Sequence, residues 1–277
     1  MELTFPKIIK NLLDKYGTWP SKGLGQNFLI DKNVLKKIID SADIKSDDII
    51  LEVGPGIGTL TCELAKKAKK VIAIEKDEKM CKILKETLTD YKNVEIINAD
   101  ILKLNPKPYA LYPYKLVANI PYYLTSPLIR KFLESSNQPT EIILMLQKEV
   151  AQRICAKPPQ MSLLAVSVQF YAEPKIISYV SKNCFWPAPK VDSAIIKIIP
   201  FKKQNIPSDL FFRIVKAGFS QPRKQLAGNL SKSLKLDKKI VESWLLKNNI
   251  KPIQRAETLF VKDWEALTNF FTDTGYL

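Results

Sequence analysis

The chain has 277 residues, 46% of them hydrophobic, enough to bury one large core or a large and a small one, and no apolar run is long enough to cross a bilayer. It carries 43 basic against 28 acidic side chains, a net charge of +15, which points to a polyanionic partner, nucleic acid ahead of an anionic membrane. There is no histidine, and Cys62, Cys81, Cys155 and Cys184 form no Cys-x-x-Cys pair. A Cys/His zinc site and a Ser-His-Asp triad are therefore excluded, and a reducing, cytoplasmic setting is expected.

The opening "MELTFPKIIKNLLDKYG" has an early acid and scattered lysines in place of an apolar signal core, so no targeting segment is expected. "NVLKKIIDSA" (33–42) has apolar residues at helical spacing. A rhythm follows: the strand "DDIILEV" runs into glycines and the helix "TLTCELAKKA", and "KVIAIEKD" into the helix "EKMCKILKETLTDY". "NVEIINAD" is a third strand, "YKLVANI" a fourth followed by the helix "TSPLIRKFLESS", and "TEIILMLQ" a fifth followed by "KEVAQRICA". Short apolar strands alternating with helices predict βαβ units and a mostly parallel sheet buried on both faces. After Pro158-Pro159, "SLLAVSVQFYA" reads as helix, and "PKIISYV" and "VDSAIIKIIP" as two strands with no clear helix between them, an antiparallel addition at the sheet edge. "FKKQNIPSD" marks a boundary between a first domain, 1–200, and an all-helical second, 201–277, which holds fourteen basic against seven acidic residues.

"LEVGPGIGTL" places Gly54, Gly56 and Gly58 between a strand and a helix, where glycine lets the backbone turn sharply and approach a ligand. A dinucleotide fingerprint would want its third glycine at position 59, which is threonine, so a loop around a phosphate-free nucleoside fits better than a pyrophosphate cradle. The second strand ends in Glu75, placed to accept from ribose hydroxyls, and the third in Asp100, placed to accept from a nucleobase amine. "ANIPYY" joins Asn119, Ile120, Pro121 and Tyr122 at the end of the fourth strand: an amide, backbone carbonyls, a rigid ring and a phenol, suited to holding a flipped base. Read alone, Gln26-Asn27 would equally serve as a cap for the helix near residue 33, Phe185-Trp186 as a loop plug into the core, and Arg223 and Lys224 as a solvated face.

The glycine loop, Glu75 and Asp100 resemble the Rossmann-like S-adenosylmethionine-dependent methyltransferase fold. "GLGQNFLIDKNVL" (23–35), "NIPYYLTSPLI" (119–129), "FWPAPKVDSAII" (185–196), "GFSQPRKQLAGNL" (218–230) and "QRAETLFVKDWEAL" (254–267) stand in the order and spacing of the bacterial small-subunit (16S) ribosomal RNA adenine dimethyltransferases, so the resemblance spans nearly the whole chain. Two departures stand out: "PPQMSLLAVSVQF" lacks the arginine and glycine of the family's commoner run, and "NCFWP" replaces a commoner form while keeping Phe185. The resemblance implies S-adenosylmethionine as cofactor, bound by Gln26, Asn27, Leu29, Gly54, Gly56, Glu75, Asp100 and Asn119, with no metal. It implies a target adenine held by Asn119, Ile120, Pro121, Tyr122 and Phe185, and RNA gripped by Arg223, Lys224 and the helical domain. The implied activity is dimethylation of two adjacent adenines in a hairpin near the 3′ end of 16S ribosomal RNA by a monomer with a role in small-subunit biogenesis. A large-subunit (23S) methyltransferase of the macrolide-resistance type and a non-catalytic ribosome-assembly factor are the alternatives. A DNA adenine methyltransferase would place an acid where Asn119 stands.

Overall fold

A computed structural model describes residues 2–21, 23–104, 113–201 and 206–274, with the side chains of 271–274 excepted. Residues 202–205, the middle of the expected boundary segment, lie outside the described residues. The chain divides into two compact units, residues 1–151 with 174–200, and residues 152–173 with 201–277.

The first unit opens with α1 (Pro6–Lys15), which the sequence reading left unassigned, and continues through β1 (Phe28–Leu29) and α2 (Lys32–Ser41). The βαβ series then comprises β2 (Ile49–Val53), α3 (Thr59–Ala65), β3 (Lys70–Glu75), α4 (Glu78–Thr87), β4 (Val94–Asn98), β5 (Tyr114–Asn119), α5 (Thr125–Leu133), β6 (Glu141–Gln147) and α6 (Lys148–Ile154). After α7 (Leu163–Gln169) come β7 (Ala172–Val180), β8 (Phe185–Trp186) and β9 (Ser193–Pro200). Seven strands form one sheet in the order β4-β3-β2-β5-β6-β9-β7. The pairs β2–β3, β2–β5, β3–β4 and β5–β6 are parallel, and β6–β9 is antiparallel. The antiparallel strand thus lies one place in from the edge, which β7 takes. The order reverses between β2 and β5, and at such a switch point the strand tips diverge and leave a crevice.

The central strands are apolar on both faces: Ile50, Val71, Leu116, Val117, Ile143 and Leu144 are all fully buried. Asp31 caps α2 by accepting from the backbone N–H groups of Asn33 and Val34, so Gln26-Asn27 is free of that duty. A second, two-stranded sheet pairs Phe28 with Trp186 and Leu29 with Phe185. No local signal marks it, because two residues are too short for a period and the partners lie more than 150 positions apart. In α1, Ile9, Leu12 and Leu13 pack with Phe28, Ile57, Met80 and Ile83, while Lys15 and Tyr16 both bond Glu86 at 2.7 and 2.5 Å.

The second unit contains α8 (Ser208–Gly218), α9 (Leu226–Leu234), α10 (Lys238–Lys247) and α11 (Val261–Thr274), as the periodicity predicts. It also includes residues 152–173, which the sequence reading assigns to the first domain. The reason is packing: Ala165, Val166 and Phe170 share a core with Phe211, Ile214, Leu230, Trp244 and Trp264, and the Phe170 and Phe211 rings stack at 3.9 Å.

Candidate active site

Every residue expected to hold cofactor or target base lines one pocket at the carboxyl ends of β2, β3 and β5. Its floor is the loop after β2. Gly54, Gly56 and Gly58 have φ of +68°, +60° and +93°, values that burden any side chain. The loop is crowded at Gly56, where an added methyl group would stand 3.2 Å from Phe28 Cε1, whereas one on Gly54 would make ordinary contact with Pro121 Cδ at 3.7 Å. The glycine loop therefore touches both the Asn-Ile-Pro-Tyr turn and the short ribbon.

Glu75 ends β3 with 7% of its surface exposed. Its Oε2 accepts from Gly56 N–H at 3.1 Å and its Oε1 from Asp77 N–H at 2.9 Å. Burial pushes this carboxyl above its ordinary range, and the backbone donors of Asp77, Gly56 and Lys76 oppose that rise. Asp100 accepts from Leu102 N–H at 3.0 Å and pairs with Lys76 at 3.0 Å, and the Lys76 bond chiefly holds it below the ordinary carboxylate range. Glu52, 1% exposed, also lines the pocket, and its Oε2 has no hydrogen-bond partner. Burial, with the Glu75 charge adding to it, raises its carboxyl to about 8. Glu52, Lys76 and Phe28 were missed as site residues by sequence reasoning. All three sit inside or next to quoted motifs, yet burial, an ion pair and a ring packed on a glycine only appear in three dimensions.

On the other side, Asn119 Nδ2 donates to the Asn27 carbonyl at 3.4 Å, which leaves its Oδ1 as the acceptor on that amide. Asn27 in turn donates to the Gly25 carbonyl at 3.0 Å. Gln26 is an anchor: its amide accepts from Ser21 N–H at 2.8 Å and donates to Asp77 at 3.0 Å, tying the 21–27 segment to the start of α4. Tyr122 is half-buried, and its hydroxyl shares a 2.9 Å hydrogen bond with Ser193 on β9, which holds the far end of the ring in place. Phe185 is 4% exposed and pairs with Leu29 in the ribbon, so both reach the pocket from one small sheet. Arg223 and Lys224 belong to the second unit. Both are exposed in the turn between α8 and α9, which Asn229 braces by donating to the carbonyls of Gly218 and Gln221 at 2.8 and 2.9 Å.

The Glu75 and Asp100 carboxyl oxygens can accept from hydroxyls and amines, while the glycine loop lets a flat ligand lie against the backbone. That donor set suits S-adenosylmethionine, a nucleoside without phosphate whose sulfonium is cationic. No group of three or more metal-ligating side chains gathers anywhere among the described residues.

The family model described as ribosomal RNA adenine dimethylase matches residues 21–273. A protein of Dehalococcoides mccartyi named ribosomal RNA small subunit methyltransferase A is 43% identical over 263 residues, 93% of this chain and 90% of that one. Proteins of the same name from Alkaliphilus metalliredigens and Bacillus mycoides are 42% and 40% identical, covering 96% and 97% of this chain and 97% of each relative. Among solved structures, a dimethyladenosine transferase from Plasmodium falciparum superposes with a TM-score of 0.78 at 30% identity, over 90% of this chain and 98% of that one. The 23S rRNA methyltransferase ErmE superposes at 0.73 with 28% identity, over 88% of this chain and 98% of that one. This chain therefore belongs to the ribosomal RNA adenine dimethylases, which methylate adenine at the expense of S-adenosylmethionine.

Proposed function

We propose that the protein dimethylates two adjacent adenines in a hairpin loop near the 3′ end of 16S ribosomal RNA, acting as a cytoplasmic monomer on the small subunit or its precursor and contributing to subunit biogenesis. The observation that carries the small-subunit reading is the name shared by relatives from three genera at 40–43% identity over nine-tenths or more of both chains. The net charge of +15 supports a polyanionic substrate.

S-adenosylmethionine, when bound, supplies a methyl group made electrophilic by its sulfonium. Gly54, Gly56, Glu75 and Asp100 hold the nucleoside end, with Asn27 and Leu29 closing over it. The adenine amine is a poor nucleophile because its lone pair is delocalised into the ring. Asn119 Oδ1 and the Ile120 carbonyl accept its two hydrogens, favouring a pyramidal nitrogen with its lone pair directed out of the ring plane. Pro121 locks the backbone that aims both acceptors. Tyr122 stacks on one face of the everted base and Phe185 covers the other. Positioning and aligned dipoles carry the acceleration, and no general base is needed, because the alkylated amine is acidic and sheds its proton readily.

The likeness to a 23S enzyme favours one second reading, methylation of large-subunit RNA. Labelled methyl transfer to small subunits lacking the modification, to large subunits and to DNA separates the two. Four methyl groups per small subunit and background elsewhere are expected. Preferential labelling of large-subunit RNA overturns the proposal.

A further inference from the structure

We infer that Tyr179 and Lys148 form a platform that binds a nucleotide flanking the target adenine, a contact that rests on the rRNA reading above and extends it beyond the pocket. Tyr179 is at the carboxyl end of the edge strand β7, on the face where exposed residues alternate, and is 52% exposed. Lys148 Nζ stands over its ring, 5.3 Å from the centroid. An exposed aromatic with a cation against it offers the pair that a base and its phosphate require: a π face for stacking and a positive charge at hand.

The platform is wired to the pocket by short contacts. Tyr122 shares its hydroxyl bond with Ser193, the first residue of β9. The preceding Asp192 carbonyl accepts from Lys148 N–H at 3.0 Å, and the Lys148 side chain reaches Tyr179. In the sheet the two sites are the tips of β5 and β7, with β6 and β9 between them. Three strand spacings separate them, roughly 14 Å, a span of a few nucleotides. The charge also fits. Lys148, Lys182 and Lys190 enter no ion pair among the described residues, whereas the acids on the same segments are Glu149 and Asp192. Asp192 Oδ1 accepts from Lys182 N–H at 3.1 Å, which ties the two segments together. The Lys148 cation over an exposed ring makes phosphate the natural neighbour, and stacking tolerates any base, so the platform sets register without reading sequence.

The test uses the full chain and small-subunit particles assembled from unmodified ribosomal RNA. Tyr179→Ala should raise KM for particles about tenfold while kcat changes less than twofold, and Tyr179→Phe should restore the wild-type KM because the ring remains. Lys148→Gln should make the dependence of affinity on salt shallower by about one phosphate's worth. Cofactor affinity, measured by calorimetry, and the melting temperature should match wild type in all three variants, which excludes damage to the pocket or the fold. Unchanged KM in Tyr179→Ala together with an unchanged salt slope in Lys148→Gln overturns the platform. If wild-type enzyme ignores small-subunit particles but modifies large-subunit RNA, the small-subunit reading falls, and the same KM comparison on that RNA still decides the platform.

Discussion

The two walls of the pocket are built on opposite principles. The wall formed by the ends of β2 and β3 uses backbone N–H groups and buried acids: Glu52 and Glu75 are 1% and 7% exposed, and burial raises both carboxyls. The wall formed by the end of β5 uses neutral groups, the Asn119 amide and the Tyr122 ring, the latter pinned by Ser193 at 2.9 Å. The contrast teaches where protons matter. In the proposed mechanism the acidic wall binds a cationic, hydroxyl-bearing ligand at the cost of burying carboxyls, while the neutral wall aims uncharged dipoles at an amine.

Removing the aimed dipole should have the largest effect. Asn119→Ala deletes the Oδ1 acceptor and is expected to lower methyl transfer by a factor on the order of 10³. RNA binding should stay within several-fold of normal, as read by filter binding and labelled transfer. Near-normal dimethylation by this variant would end the neutral-wall mechanism.

The acidic wall is probed next through stability. The Glu52 carboxyl sits at about 8 in the folded protein, against an ordinary 4.5 when the chain is unfolded. Between those values the folded state keeps a proton that the unfolded state releases, so stability is fullest below the lower value and declines as pH climbs toward the upper one. Glu52→Gln keeps the shape and removes the titrating proton, and should raise stability near pH 8 by about 4 kcal/mol while flattening the pH profile of chemical denaturation. Glu75, shifted in the same direction, leaves a residual slope. A wild-type profile that is flat from pH 5 to 8 would show that Glu52 ionises freely.

The smallest effect is expected from Glu75→Ala, which deletes a carboxylate braced by Gly56 and Asp77 and assigned to ligand hydroxyls in the proposed mechanism. Cofactor affinity should fall about tenfold to a hundredfold by calorimetry, the loss of charge-assisted hydrogen bonds, with the circular dichroism spectrum retained. Unchanged affinity would take Glu75 out of the binding site.

Periodicity, glycine spacing and strand-end acids were enough to read the βαβ series, the four late helices and the pocket residues Gly54, Glu75, Asp100 and Asn119 from the sequence alone. Each of those features is written in neighbouring residues, because a buried parallel strand must be continuously apolar and a left-handed turn must use glycine. Other features depend on partners far apart in the chain, and only the tertiary structure decided them. Phe28 and Leu29 meet Phe185 and Trp186 in a ribbon, Gln26 is tied to Asp77, and residues 152–173 join the C-terminal helices through Phe170 and Phe211. Such pairings follow from how apolar faces and unsatisfied polar groups find one another once the sheet has formed, and no window of sequence contains both partners.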